Sequence, residues 1–365
     1  MDFLTRLIDL AIAIQQIPAP TGHEAERAAF VQGRFLAEGL EVSRDAVGNV
    51  YARVAGQTPR ARPVVVSAHL DTVFPLETPL TVRRVGDKVF GPGIGDNSVA
   101  VASLLGLWWW LQAQGFAPPG DLWLVANVAE EGLGNLKGMK AVVARFGAQP
   151  KAYLVLEGLG LGWVYHRGLG VRRYALKIST PGGHAWADAG TPSAVHEMAT
   201  LIHRLTALPL ARRPRTTLNV GRCRGGVSIN TIAPEAVAEV DLRSEDPAAL
   251  MALAQAVEAE TQRLQRDGVS TSWEVIGERP AGGIPQGHPL VQAALAALRR
   301  QGVQPRTTVA STDANVPLSL GFPAVCLGLT HGGGAHTTEE FIYTTPLNAG
   351  LAALADLVQQ AYRLP

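Results

Sequence analysis

The sequence predicts an α/β protein: a three-layer domain with helices on both faces of a mixed, mostly parallel sheet, into which a smaller α+β unit is inserted. Three observations carry that expectation. Continuous β-branched and aliphatic runs recur at 63–68, 122–128, 152–156 and 324–329, the pattern of strands buried on both faces. Helical stretches separate them, as in a sheet with crossover connections. Between about 168 and 276 the texture changes to alternating apolar and polar residues, the mark of strands that bury one face only.

In chain order, residues 1–18 are apolar but interrupted by Asp2, Arg6 and Asp9, with no small-x-small cleavage site, and read as an amphipathic surface helix rather than a leader. Thr21-Gly22-His23-Glu24 has capping-box spacing and predicts a helix running to about Glu38 and stopping at Gly39. Short strands follow at 41–43 and 50–54. The helix over 98–112 is apolar throughout, carries Trp108, Trp109 and Trp110, and reads as core or interface packing. Helices over 290–300 and 346–362 complete the outer domain.

In the inserted segment, Tyr174, Leu176 and Ile178 alternate with Arg173, Lys177 and Ser179, and Val240 and Leu242 lie opposite Glu239, Asp241 and Arg243. With amphipathic helices over 194–208 and 247–266, the order β-α-β-β-α-β predicts a ferredoxin-like unit. The expected division is 1–167 and 277–365 for the outer domain and 168–276 for the insert.

Composition bounds the partners. With 365 residues, 47% of them hydrophobic and a net charge of +1, the chain fits two packed domains and offers no basic funnel for nucleic acid. No apolar stretch is long enough to span a bilayer, so a small molecule is the expected partner. Two distant cysteines, Cys223 and Cys326, show no metal spacing and predict a reducing, cytoplasmic setting.

The chemistry lies in where acids and imidazoles fall. The run at 63–68 ends in His69-Leu70-Asp71, that at 122–128 in Glu130-Glu131, and that at 152–156 in Glu157, while 324–329 leads into the loop with His331 and His336. Asp96 follows the glycine turn GPGIGD. Ligands of open α/β sheets bind beyond the carboxyl ends of the strands, so one edge collects these groups. Clustered carboxylates repel unless something cationic holds them. Aspartate, glutamate and histidine together suit a pair of zinc-like ions, with a carboxylate bridging two ions about 3.5–4 Å apart. Asp71, two residues beyond His69 on an extended strand, is placed to orient that imidazole. Glu130, beside a ligand but facing elsewhere, is placed as a general base. His331 reads as a loop residue, since one ligand from its loop suffices. GPGIGD lacks the register and downstream acid of a dinucleotide loop.

With these motifs in order, SAHLDTV, GPGIGD, AEEGLG, LVLEG and GGGAHTTEE, the chain resembles the dizinc exopeptidases and N-acyl-amino-acid deacylases. That group includes glutamate carboxypeptidase, acetylornithine deacetylase, succinyl-diaminopimelate desuccinylase and the aminoacylases. The resemblance implies a zinc-exopeptidase-like catalytic domain with an inserted lid and dimerisation domain. It implies metal ligands His69, Asp96 (bridging), Glu131, Glu157 and His336 for two divalent ions, zinc first and cobalt or manganese as alternatives, with Glu130 as the base. STPGGHAW places His184 at a lid histidine that polarises the scissile carbonyl. GGVSINTIAPE and VDLR place Asn230 and Arg243 at substrate-binding positions, and Ser311–Ala314 resembles a segment near the site.

Trp186 departs from the small residues that usually follow that histidine, and it narrows or lines the substrate pocket. Glu at position 157 leans toward a carboxypeptidase or deacylase acting on a small peptide or N-acyl amino acid. A di- or tripeptide aminopeptidase is the alternative, and from another class a catalytically inactive metal-dependent binding protein. The 39 glycines concentrate around these motifs, where tight turns aim side chains from strand ends.

Overall fold

The structure is a computed structural model that describes residues 2–364. It divides into two compact units, one comprising the residues up to Gly168 and from Gly283 onward, the other Leu169–Gly282.

The outer unit is built on a 9-stranded sheet. Its central strands are Leu122–Asn127, Val64–His69, Ala152–Leu159 and Ala324–Thr330, adjacent in that order and all parallel. Val64–His69 and Ala324–Thr330 are buried at every residue, because helices cover both faces of the parallel strands. Glu41–Arg44 and Val50–Val54 add antiparallel strands at one edge. The helix Val99–Ala113 packs against the sheet and against helices Phe3–Gln15 and Leu347–Arg363, which accounts for its apolar character on all sides. Trp109 is buried within it, and Phe3 packs edge-on against Trp109 and Trp110.

The inserted unit has the four-stranded order Thr216–Gly225, Glu235–Ser244, Gly170–Ser179, Ser270–Arg279, antiparallel throughout. Helices Ala194–Thr206 and Pro247–Gln262 pack on it. Tyr174, Leu176, Ile178, Val240 and Leu242 form its core with Met198, Leu201 and Val257. Asp246 caps the second helix by accepting from the Ala249 N–H at 2.8 Å, with Pro247 in the first turn.

Three features differ from the sequence expectations. A boundary at 276 would cut the strand Ser270–Arg279, whose ladder with Gly170–Ser179 runs on to Arg279; the compact unit closes at Gly282. The capping box does not form: the helix is Ala25–Ala37, Glu24 is its N-cap without a side-chain cap bond, and the Thr21 hydroxyl is engaged elsewhere. A small sheet of Arg83–Val85, Lys88–Phe90, Gly332–Gly333 and Phe341–Tyr343 was not anticipated, because two- and three-residue strands carry no readable period. Gly39, with φ +73°, does end the helix region as expected. Among the described residues no helix is long and apolar enough to cross a membrane.

Candidate metal centre

His69 is the last residue of its strand and is 2% exposed. Its Nε2 lies 3.1 Å from Asp96 Oδ1 and 3.7 Å from Glu157 Oε2. The other oxygen of Asp96, Oδ2, lies 3.1 Å from His336 Nε2, which is also 3.2 Å from Glu131 Oε1. The two oxygens of Asp96 thus face different imidazoles. Single ligand atoms of His69, Asp96 and Glu131 fall within 4.8 Å of one another, close enough for one metal ion. All the residues expected as ligands, His69, Asp96, Glu131, Glu157 and His336, meet in this chain of contacts.

The electrostatics are those of a charge cluster. Burial pushes the Asp96 carboxyl up, but hydrogen bonds from His336 and His69 outweigh it and hold the group well below the usual carboxylate range. Burial raises Glu157 to about 7, against the lowering pull of His69. His336 is pushed up to about 10 by Asp96 and Glu131. Burial alone would lower His69, yet Asp71, Asp96 and Glu157 raise it well above its ordinary value. Imidazole nitrogens and carboxylate oxygens converging in this way match the donor chemistry of zinc-like ions.

Asp71 departs in part from its expected role. The nearest acceptor to His69 Nδ1 is the main-chain carbonyl of Asp71, at 3.0 Å, with the carboxylate at 3.5 Å. The carboxylate instead gathers the backbone N–H groups of Glu130 (2.9 Å) and Glu131 (2.8 Å) and the Thr21 hydroxyl (2.8 Å). Burial pushes the Asp71 carboxyl up, but the His69 imidazole and then the backbone N–H groups of Glu130 and Glu131 outweigh it and hold the group below its usual range. It therefore fixes the loop carrying both glutamates as well as bordering the imidazole.

Several supporting residues were missed from sequence. Glu24 accepts from the Ala129 N–H at 3.1 Å, where Ala129 has φ +59°. Arg27, 1% exposed, donates to the carbonyls of Leu70 (2.8 Å) and Ile17 (2.5 Å), placing a buried cation near Asp71. Asn97, which follows a cis Asp96–Asn97 peptide, donates to the Leu156 carbonyl and accepts from the Gly158 N–H, both at 2.9 Å. Asn127 donates to Asp313 Oδ2 at 2.6 Å, both residues fully buried. A capping-type motif at Thr21–Glu24 and an Asn after Asp96 were the available signals; neither pointed to its partner.

In the inserted unit, Gly183–His184 pairs with Thr231–Ile232, and the Ala185 N–H donates to the Asn230 carbonyl at 3.0 Å. His184 and Asn230 thus lie on adjoining loops. His184 is exposed, and its Nδ1 accepts from the backbone N–H groups of Trp186 (3.2 Å) and Ala187 (3.3 Å). Trp186 is 88% exposed. Arg243 stands apart from this pair: it is held by Asp241 at 2.7 Å, and Asp241 also takes Arg173 at 2.9 Å. His331 is exposed, and its main-chain carbonyl accepts from Tyr343.

A parallel-centred α/β unit with a histidine–carboxylate cluster at its strand ends, carrying an inserted ferredoxin-like unit, defines a class of metal-site protein. The profile of peptidase family M20/M25/M40 matches residues 65–360, and the chain belongs to that family. It is 30% identical over 251 residues to a peptidase M20 domain-containing protein of Schizosaccharomyces pombe, 65% of this chain and 60% of that one. It is 26% identical over 252 residues to a probable carboxypeptidase of Aspergillus clavatus, 62% of this chain and 55% of that one. The chain thus spans less than two thirds of the length of these curated relatives. Its fold is shared with the aminopeptidase PepT of Bacillus cereus, with a TM-score of 0.82 at 22% identity and 98% of each chain covered.

Proposed function

We propose that this protein is a metal-dependent hydrolase of an amide bond adjacent to a free carboxylate, a carboxypeptidase or N-acyl-amino-acid deacylase acting on small peptides or N-acyl amino acids. The observation that carries the reading is Asp96, whose two oxygens each meet a different imidazole, the arrangement a bridging carboxylate needs. His69, Asp96, Glu131, Glu157 and His336 would hold two divalent ions, zinc by donor preference, with cobalt or manganese as substitutes. When bound, the ions supply Lewis acidity, polarising the carbonyl and acidifying water.

The chain's own groups do the rest. Glu130 takes a proton from the attacking water and passes it to the leaving amine. Asp71 fixes the Glu130 backbone and borders His69. His184 donates to the developing oxyanion, while Arg243 and Asn230 bind the substrate and its carboxylate. The protein works in the cytoplasm, where Cys223 and Cys326 stay free thiols. It forms a homodimer through the inserted unit, whose edge strand Thr216–Gly225 has an unpaired side and is largely exposed. Sedimentation at micromolar concentration is expected to give twice the chain mass; a monomer at all concentrations refutes the dimer.

The deciding experiment compares N-blocked and C-blocked dipeptides with the metal-loaded protein. Hydrolysis of N-acylated substrates with a free carboxylate, and none of the C-terminal amides, is expected. A requirement for a free amino terminus favours the second reading, a di- or tripeptide aminopeptidase, which the structural likeness to PepT supports.

A further inference from the structure

Glu340 follows His336 by four residues, and nothing above gives it a role. It is fully buried. Its Oε1 accepts from the backbone N–H groups of Gly95 and Asp96, each at 2.7 Å, and its Oε2 accepts from Gly93 at 3.1 Å. Its main-chain carbonyl accepts from the Gly91 N–H at 2.9 Å, continuing the ladder in which Phe341 pairs with Phe90. One residue therefore gathers almost the whole turn from Gly91 to Asp96. The turn is built around it: Gly93 has φ +73°, and a Cβ at Gly95 would lie 3.0 Å from the Glu340 carboxylate.

On the other side, Glu340 closes the loop that presents His336. That residue has φ +65°, with the Thr337 N–H bonded to the Gly334 carbonyl and the Glu340 N–H to the Thr337 carbonyl. Asp96 and His336 come from sequence positions far apart and face each other at 3.1 Å. Three backbone N–H groups aimed at the two oxygens of one carboxyl group form an anion nest.

We propose that Glu340 is the positioning residue of the metal pair: its carboxylate fixes the Asp96 turn against the His336 loop, so that a bridging aspartate and a terminal histidine are held at metal-binding separation. The inference rests on the metal-site reading above. On that reading Glu340 acts through the Asp96 turn and the His336 loop rather than as a ligand. Its effect falls on metal retention and on coordination geometry.

The test uses Glu340→Gln and Glu340→Asp in the full chain, with Glu339→Ala as a control, since Glu339 is exposed and pairs with the exposed Arg83. Zn²⁺ affinity is read by competition with a chromophoric chelator, and Co²⁺-substituted protein by its visible absorption bands. Wild type and Glu339→Ala are expected to bind two ions alike. Glu340→Gln, which turns an amide N–H₂ toward a backbone donor, is expected to bind about 10–100-fold more weakly, as loss of a supporting partner commonly does. Its Co²⁺ bands are expected to shift, with Glu340→Asp intermediate. Wild-type Zn²⁺ affinity and spectrum in Glu340→Gln overturn the proposal. So does loss of the metal-free far-UV spectrum in both variants, which would make Glu340 part of the fold rather than of the metal loop. Failure of the wild type itself to bind two ions refutes the metal-site reading instead.

Discussion

Glu130 is 5% exposed, and its backbone N–H is fixed by Asp71, so replacing its carboxylate with an amide changes the charge and leaves the loop in place. Glu130→Gln is expected to bind metal as wild type does and to lose about 10²–10⁴-fold in kcat, the usual contribution of a positioned base. Metal analysis beside steady-state kinetics checks it, and wild-type turnover rules Glu130 out as the base. Asp71→Asn is expected to do more: its amide would turn N–H toward the N–H of Glu130 or Glu131, so metal affinity and turnover should fall together. Titration of that variant with Zn²⁺ decides the point, and an affinity equal to wild type removes Asp71 from the support of the loop. At this scale the clustering of acids and imidazoles was legible in the sequence, because residue types at strand ends are visible there. Their supporters were not. Thr21, Glu24 and Arg27 act through contacts with Asp71, Ala129 and Leu70, and no local pattern encodes so distant a partner.

Between neighbouring elements the close approach of backbone decides what is tolerated. Gly158 follows Glu157, and a Cβ there would lie 2.0 Å from the Gly95 carbonyl oxygen and 2.4 Å from Val99. Gly158→Ala must push the Asp96 turn away from the strand, at a cost of about 1–3 kcal/mol for overpacking. A lower Tm of the metal-free protein and weaker Zn²⁺ binding are expected together in a thermal scan and a chelator titration; an unchanged Tm contradicts the packing account. The buried parallel strands and the Val99–Ala113 helix were readable because both are apolar over several turns or pleats. Trp163–Gly168 was missed, although its Val164 and His166 face inward, and so was its parallel partner Arg306–Ala310, which mixes threonine with arginine. Such strands take their identity from neighbours more than from their own residues.

For the molecule as a whole, the proposed ligands His69, Asp96, Glu131, Glu157 and His336 all lie in the outer unit. Saturating Zn²⁺ is expected to stabilise that unit by mass action, about 2.7 kcal/mol at a hundredfold excess over Kd. Hydrogen exchange should show added protection at 64–69, 91–99 and 324–341, with the amides of Leu169–Gly282 little changed; equal protection in both units contradicts a site confined to one. The two-unit organisation was readable from the change of strand texture, whereas its second boundary depended on how far the Ser270–Arg279 ladder runs. That boundary has a consequence for redesign. The Ile284 N–H donates to the His166 carbonyl at 3.1 Å, so the polypeptide departs from the outer unit and rejoins it side by side. A junction of that kind works as a socket. A foreign module with adjacent termini can be grafted there while the outer unit's sheet and its histidine–carboxylate cluster are inherited intact.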